Sequence, residues 1–186
     1  MKKTMKMLML VAVMLIVAVT LTGCGNTNEN DNLEGLAVYT MDEDMTGYTK
    51  CTDVEGIEFY YPSNYTVKKQ SGQTAYMDPE ILGANVNVAS DNFPNGYSFE
   101  NYVDASIAGI KAQMQISGDI NKEYINLNGR KAVKLEYVAT QSGYTMKCTQ
   151  VLVVKDKKAY ALTVVSLEKD AEALQPKLDK MIKSFK

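Results

Sequence analysis

Apolar residues fall into three regimes along the chain. Met7 to Val19 is unbroken, Gly25 to Gly35 has no apolar period, and from about Tyr48 short periodic stretches alternate with turn residues. In the third regime, Ile57-Glu58-Phe59-Tyr60-Tyr61 alternates and Pro62-Ser63-Asn64 turns the chain. Ala84-Asn85-Val86-Asn87-Val88 alternates cleanly and predicts a strand with one polar face. After a loop at Asp91 to Gly96, Ser98 is placed to cap a helix carrying Phe99, Tyr102, Val103, Ile107, Ile110 and Met114 on one stripe. Ser117-Gly118 is expected to end that helix. Ile120 to Leu127 then leads into Asn128-Gly129, a strong hairpin signal. Val133, Leu135 and Tyr137 alternate up to a turn at Gln141-Ser142-Gly143. Two further strands, Met146 to Val154 and Tyr160 to Val165, flank the charged turn Asp156-Lys157-Lys158. Both are apolar on successive residues at their centres, as in a sheet covered on both faces. A closing helix places Leu174, Leu178, Met181, Ile182 and Phe185 on one side, with Pro176 expected in its first turn. Strands, helix, antiparallel meander and helix define an α+β layered domain, expected over residues 48–186 with no internal repeat.

The N-terminal regime has the layout of a secretory signal peptide over residues 1–23: Lys2, Lys3 and Lys6, then the apolar run, then small residues. The run is short for a span of about 30 Å of hydrocarbon. The tetrad Leu21-Thr22-Gly23-Cys24 resembles the bacterial lipobox at all four positions. That resemblance implies a diacylglyceryl group on the Cys24 sulfur, cleavage between Gly23 and Cys24, and further acylation, such as palmitate, of the new N-terminus. Two acyl chains at about 0.8 kcal/mol per buried CH₂ would hold the mature chain on a membrane without spanning it. Residues 24–47, with Asn26, Asn28, Asn30 and Asn32 at alternate positions, are expected to be a lipidated N-terminus and flexible Asn-rich tether. The location implied is the extracytoplasmic face of the cell membrane, or an outer membrane if the organism has one.

Removing Lys2, Lys3 and Lys6 with the signal leaves 17 of the 20 basic residues against 22 acidic ones, a charge of −5. An acidic chain without a basic tract is a poor partner for nucleic acid, and none is expected. Histidine is absent from all 186 residues. No side chain therefore has an unperturbed pKa near neutrality, and histidine-based triads and zinc sites are excluded. No cofactor and no catalytic residue is expected.

With Cys24 committed to lipid, Cys51 and Cys148 remain. Exported proteins can hold disulfides, and a bridge across this separation would contribute about 4–5 kcal/mol in the chain-entropy model. The alternative is two buried free thiols. Asp42, Asp44, Thr46 and Gly47, with Asp53 twelfth, partly fit a calcium-loop template. Position 5 is weak, and position 12 is Asp instead of the bidentate Glu. The competing reading is an acidic linker end, and no metal is assigned. Tyr60, Tyr61, Tyr65 and Tyr97 could form a partner or ligand surface, since tyrosine is favoured at interfaces, or could be ordinary core.

Phe59-Tyr60-Tyr61-Pro62-Ser63-Asn64-Tyr65 resembles the early F-x-Y-P-x-x-W segment of PsbP-like domains, with Tyr65 where tryptophan is common. Val151 to Val154, Ala159 to Thr163 and Met181 to Phe185 resemble that family's last strand pair and terminal helix. The resemblance covers roughly residues 48 to 186 and implies an antiparallel sheet packed between helices, an α/β/α sandwich. Family members include photosystem assembly factors, bacterial envelope lipoproteins and a nuclear transport cofactor, so fold does not carry function. The metal ligands of the photosynthetic members include histidines, and none is transferred. The reading that follows is a membrane-anchored extracytoplasmic lipoprotein displaying a non-catalytic binding or assembly domain, with another envelope protein as partner. A carboxylate-based hydrolase and a small-ligand or metal carrier are the alternatives.

Overall fold

The protein is described by a computed structural model covering residues 32–70, 73–81, 83–141 and 143–186. Three short strands come first: β1 (Ala37–Tyr39), β2 (Tyr48–Lys50) and β3 (Tyr60–Pro62). β4 (Thr66–Gln70), β5 (Gln73–Met77) and β6 (Asn85–Asn92) precede helix α1 (Phe99–Gln113). The meander follows as β7 (Gln115–Leu127), β8 (Arg130–Gln141), β9 (Tyr144–Lys155) and β10 (Lys158–Leu167), and a 3-10 turn leads into α2 (Ala171–Lys183). Eight strands form one sheet in the order β1-β7-β8-β9-β10-β6-β5-β4, while β2 and β3 pair separately. Every neighbour in the large sheet is antiparallel except β1, which runs parallel to β7.

Side-chain alternation divides the sheet into two apolar faces. Val151 and Val153 of β9 and Tyr160, Leu162 and Val164 of β10 share a cluster with Leu174, Leu178, Met181 and Ile182 of α2. Met146, Cys148 and Leu152 of β9, with Ala159, Ala161 and Val165 of β10, join Tyr102, Val103 and Ile110 of α1. The architecture is thus a mixed α/β fold of one large sheet with a single helix against each face, not a sheet enclosed by layers of helices. Phe59, packed edge-on to Tyr76 at 5.5 Å and to Phe185 at 6.4 Å, ties the segment before β3 to the end of the chain. Each such ring pair contributes about 0.5–1.5 kcal/mol beyond the area it buries.

The expected helix cap is present: the Ser98 hydroxyl accepts from the Asn101 N–H at 3.1 Å. Several other expectations change. The segment 24–47 expected as a tether contains β1, so in its described part it joins the sheet. Ser117-Gly118 does not end α1, which stops at Gln113; it lies inside β7, where the register shifts and Gly118 takes φ +78° as a bulge glycine. The polar face expected at Asn85 and Asn87 is buried, because α1 covers that side. Pro176 sits six residues into α2, beyond the first turn. There it removes the N–H that would reach the Glu172 carbonyl.

Candidate functional site

Gly23 and Cys24, the expected cleavage and lipidation positions, lie outside the described residues. Cys51 and Cys148 are both free and buried. They belong to different core clusters on opposite faces of the sheet, so the possible disulfide is corrected to two separate thiols. Cys51 Sγ lies 2.8 Å from the Tyr76 hydroxyl. Burial pushes the Cys148 thiol up to about 12, against a hydrogen bond from Tyr137 that favours the thiolate.

The acidic residues of the calcium-loop reading do not converge. Asp42 meets Lys183 at 3.4 Å, Asp44 accepts from the Thr46 N–H at 2.8 Å, and Asp53 pairs with Lys69. Among the described residues no three His, Cys, Asp or Glu side chains are grouped to hold a metal. The four tyrosines likewise do not make one surface. Tyr61 lies against Tyr76 at 4.4 Å with the rings tilted by 38° beside the α2-side core, whereas half-buried Tyr97 packs on the α1-side core. Tyr65 is buried, and its hydroxyl donates to Asp78 Oδ2 at 2.8 Å; burial first, then that carboxylate, raises its pKa far above the ordinary phenol value. Half-buried Tyr60 donates its hydroxyl to Glu58 at 3.2 Å.

What the fold does bring together is cationic. A cleft of about 540 Å³ opens where the segment after β2, the β7–β8 turn, the end of β9 and the last residue of the chain meet. Lys50, Arg130, Lys155 and Lys186 line it, with Glu58 the sole carboxylate side chain in the lining. Lys50 pairs with Glu58 at 3.2 Å. Among the described residues Arg130, Lys155 and Lys186 make no ion pair. Although burial raises the Glu58 pKa, hydrogen bonds from Lys50 and Tyr60 and the charge of Lys186 hold it below the ordinary value. The acidic side chain in the lining is therefore stabilised in its ionised form by its neighbours.

Its walls are held by backbone and by one asparagine. The Lys186 N–H donates to the Glu58 carbonyl at 2.9 Å, and the Glu58 N–H returns the bond. Asn128 (φ +51°) and Gly129 (φ +83°) supply the two left-handed residues of a tight hairpin turn. The Asn128 side chain donates to the carbonyls of Lys183 at 2.8 Å and Phe185 at 3.2 Å, and accepts from the Met41 N–H at 2.9 Å. One turn residue thus pins the chain's end and the segment after β1 to the meander. On the opposite wall Gly56 adopts φ +90°, and a Cβ there would lie 2.2 Å from the Tyr160 hydroxyl. Sequence reasoning missed this site: its four cations are scattered from Lys50 to Lys186, and only Arg130, next to the Asn128-Gly129 signal, carried any local mark.

A family model described as PsbP-like protein matches residues 7–186. No curated protein sequence matches the chain. Among solved structures, cyanobacterial PsbP (CyanoP) from Synechocystis sp. PCC 6803 is similar at 15% identity with TM-score 0.61, over 77% of this chain and 94% of that one. LpqN of Mycobacterium tuberculosis, described as involved in cell envelope biogenesis, is similar at 15% identity with TM-score 0.55, over 74% and 88%. The Saccharomyces cerevisiae Ran-binding protein Mog1p is similar at 8% identity with TM-score 0.53, over 75% and 94%. At these identities the structural likeness shows the fold.

Proposed function

The chain belongs to the PsbP-like protein family, and from that premise we propose that it is a lipid-anchored extracytoplasmic lipoprotein whose domain binds or helps assemble another envelope component without catalysing a reaction. The observation that carries the binding role is the rigid, charged cleft, built from four segments and pinned by Asn128. The lipobox-like tetrad Leu21-Thr22-Gly23-Cys24 supports the anchor. Two of the similar structures are described by an envelope role and by protein binding, which favours a binding module over the carrier reading. Against the hydrolase reading, the buried carboxylate of Asp78 has its acceptor capacity occupied by four donors, and it braces the loop after β5 against α2.

The experiment is mass spectrometry of the N-terminal peptide from the membrane fraction, alongside affinity capture from crosslinked membranes. The expected result is a diacylglyceryl-modified Cys24 at the N-terminus and one recurrent envelope protein among the captured material. Cys24→Ser should release the chain from the membrane after processing. Recovery of an unmodified Cys24 within an uncleaved N-terminus would overturn the anchor, and capture of no recurrent protein would overturn the assembly role.

A further inference from the structure

We propose that the cleft lined by Lys50, Arg130, Lys155 and Lys186 is a binding site for a small phosphate-bearing anion, a phosphate ester of lipid-headgroup size. The inference goes beyond the anchored-lipoprotein reading and does not rest on it, because the cleft belongs to the folded domain whatever happens at Cys24. Three observations carry it. First, four residues with cationic side chains line the cleft against the Glu58 carboxylate and the terminal carboxylate of Lys186, in a chain that is acidic overall. A single carboxylate ligand would leave part of that charge uncompensated, whereas a phosphate monoester carries about −1.5 to −2 at neutral pH and three strong acceptor oxygens. Second, Arg130 lines the cleft and makes no ion pair among the described residues, and a guanidinium's five-donor fork matches phosphate geometry. Third, the volume of about 540 Å³ lies within the range of small-molecule sites and exceeds what a bare phosphate needs. The half-buried Ile57, which also packs on the α2-side core, offers an apolar wall for the ester's organic part.

The site is preorganised. Asn128 spends its side-chain hydrogen bonds on the chain's end and on Met41, so it holds the walls and leaves ligand contact to the cations. Gly56 lets the backbone pass close to Tyr160, whose hydroxyl donates to the Glu55 carbonyl at 3.3 Å. A bound anion would relieve the mutual repulsion of the cations along the cleft.

The test is an amide NMR titration of the full chain in nonionic detergent with inorganic phosphate, glycerol 3-phosphate and a short-chain phosphatidic acid. Saturable shifts at Gly56, Glu58 and Gly129 are expected with at least one ester, at a Kd of about 1 mM or tighter. Equal affinity for glycerol 3-phosphate and the lipid supports a soluble ester, and a clear preference for phosphatidic acid supports a headgroup. The Arg130→Gln, Lys155→Gln double variant should weaken binding at least tenfold while amides on the α1 side stay in place. Should that variant unfold, the wild-type chain gives an independent reading: raising NaCl from about 20 to about 200 mM should weaken binding several-fold. Absence of saturation to about 20 mM, salt-independent affinity, or unchanged affinity in a folded double variant overturns the proposal. Tighter binding of an oligoglutamate peptide than of any phosphate probe also overturns it, in favour of an acidic polypeptide.

Discussion

The Asp78 side chain, with 0% exposure, accepts from Lys177 Nζ at 2.9 Å, the Tyr65 hydroxyl at 2.8 Å, the Glu80 N–H at 2.8 Å and the Ile81 N–H at 3.1 Å. Burial alone would raise its pKa; those donors outweigh it and leave the carboxyl below its ordinary value. The sign follows directly. A folded pKa below the unfolded one gives stability that is complete above about pH 4 and is lost as the pH falls through the folded value. Asp78→Asn should therefore cost about 2–3 kcal/mol at pH 7, through an imperfectly satisfied Tyr65 and Lys177, and should flatten the acid limb of the stability curve. Urea melts at pH 7 and pH 3 would check both; a variant as acid-sensitive as the parent would refute the assignment. At this scale the sequence is deceptive. In sequence Tyr65 is open to a surface or a core reading, and its hydroxyl serves a carboxylate whose burial no local pattern announces.

Elements built from local periodicity were legible: the capped α1, the Asn128-Gly129 turn, the meander and the apolar face of α2. Those whose existence depends on distant partners were not. β1 is recruited by β7 from far along the chain, and β4 carries Lys68 and Lys69 at the sheet's opposite edge, with little apolar signal. Pro176 lies beyond the first turn because the helix starts at Ala171, ahead of its apolar stripe. The Asn128 turn offers a clean test of how elements are joined. Asn128→Gly keeps the left-handed backbone but removes the bonds to Met41, Lys183 and Phe185. It should cost about 2 kcal/mol and accelerate amide exchange at Met41, read by hydrogen exchange. Unaltered exchange there would show that the asparagine does not pin the segment after β1.

Across the whole molecule, the sheet keeps two cores apart, and that separation decides the chemistry of its cysteines. Cys51 and Cys148 should resist alkylation in the native protein, and in denaturant without reductant both should label. Mass spectrometry finding either one unlabelled under those conditions would restore the disulfide. The cleft also belongs to this scale: Lys50, Arg130, Lys155 and Lys186 become neighbours only when four segments close on one another, which is why linear patterning could not reveal it. The parallel pairing of β1 with β7 carries a mechanical consequence. Tension arriving from the N-terminal side reaches the domain through this three-residue edge strand before any other part of the sheet. A pull along the strand loads its few ladder bonds together in shear, whereas a sideways pull unzips them one by one. β1 is therefore a direction-sensitive fuse, able to let go while the meander and both cores stay folded.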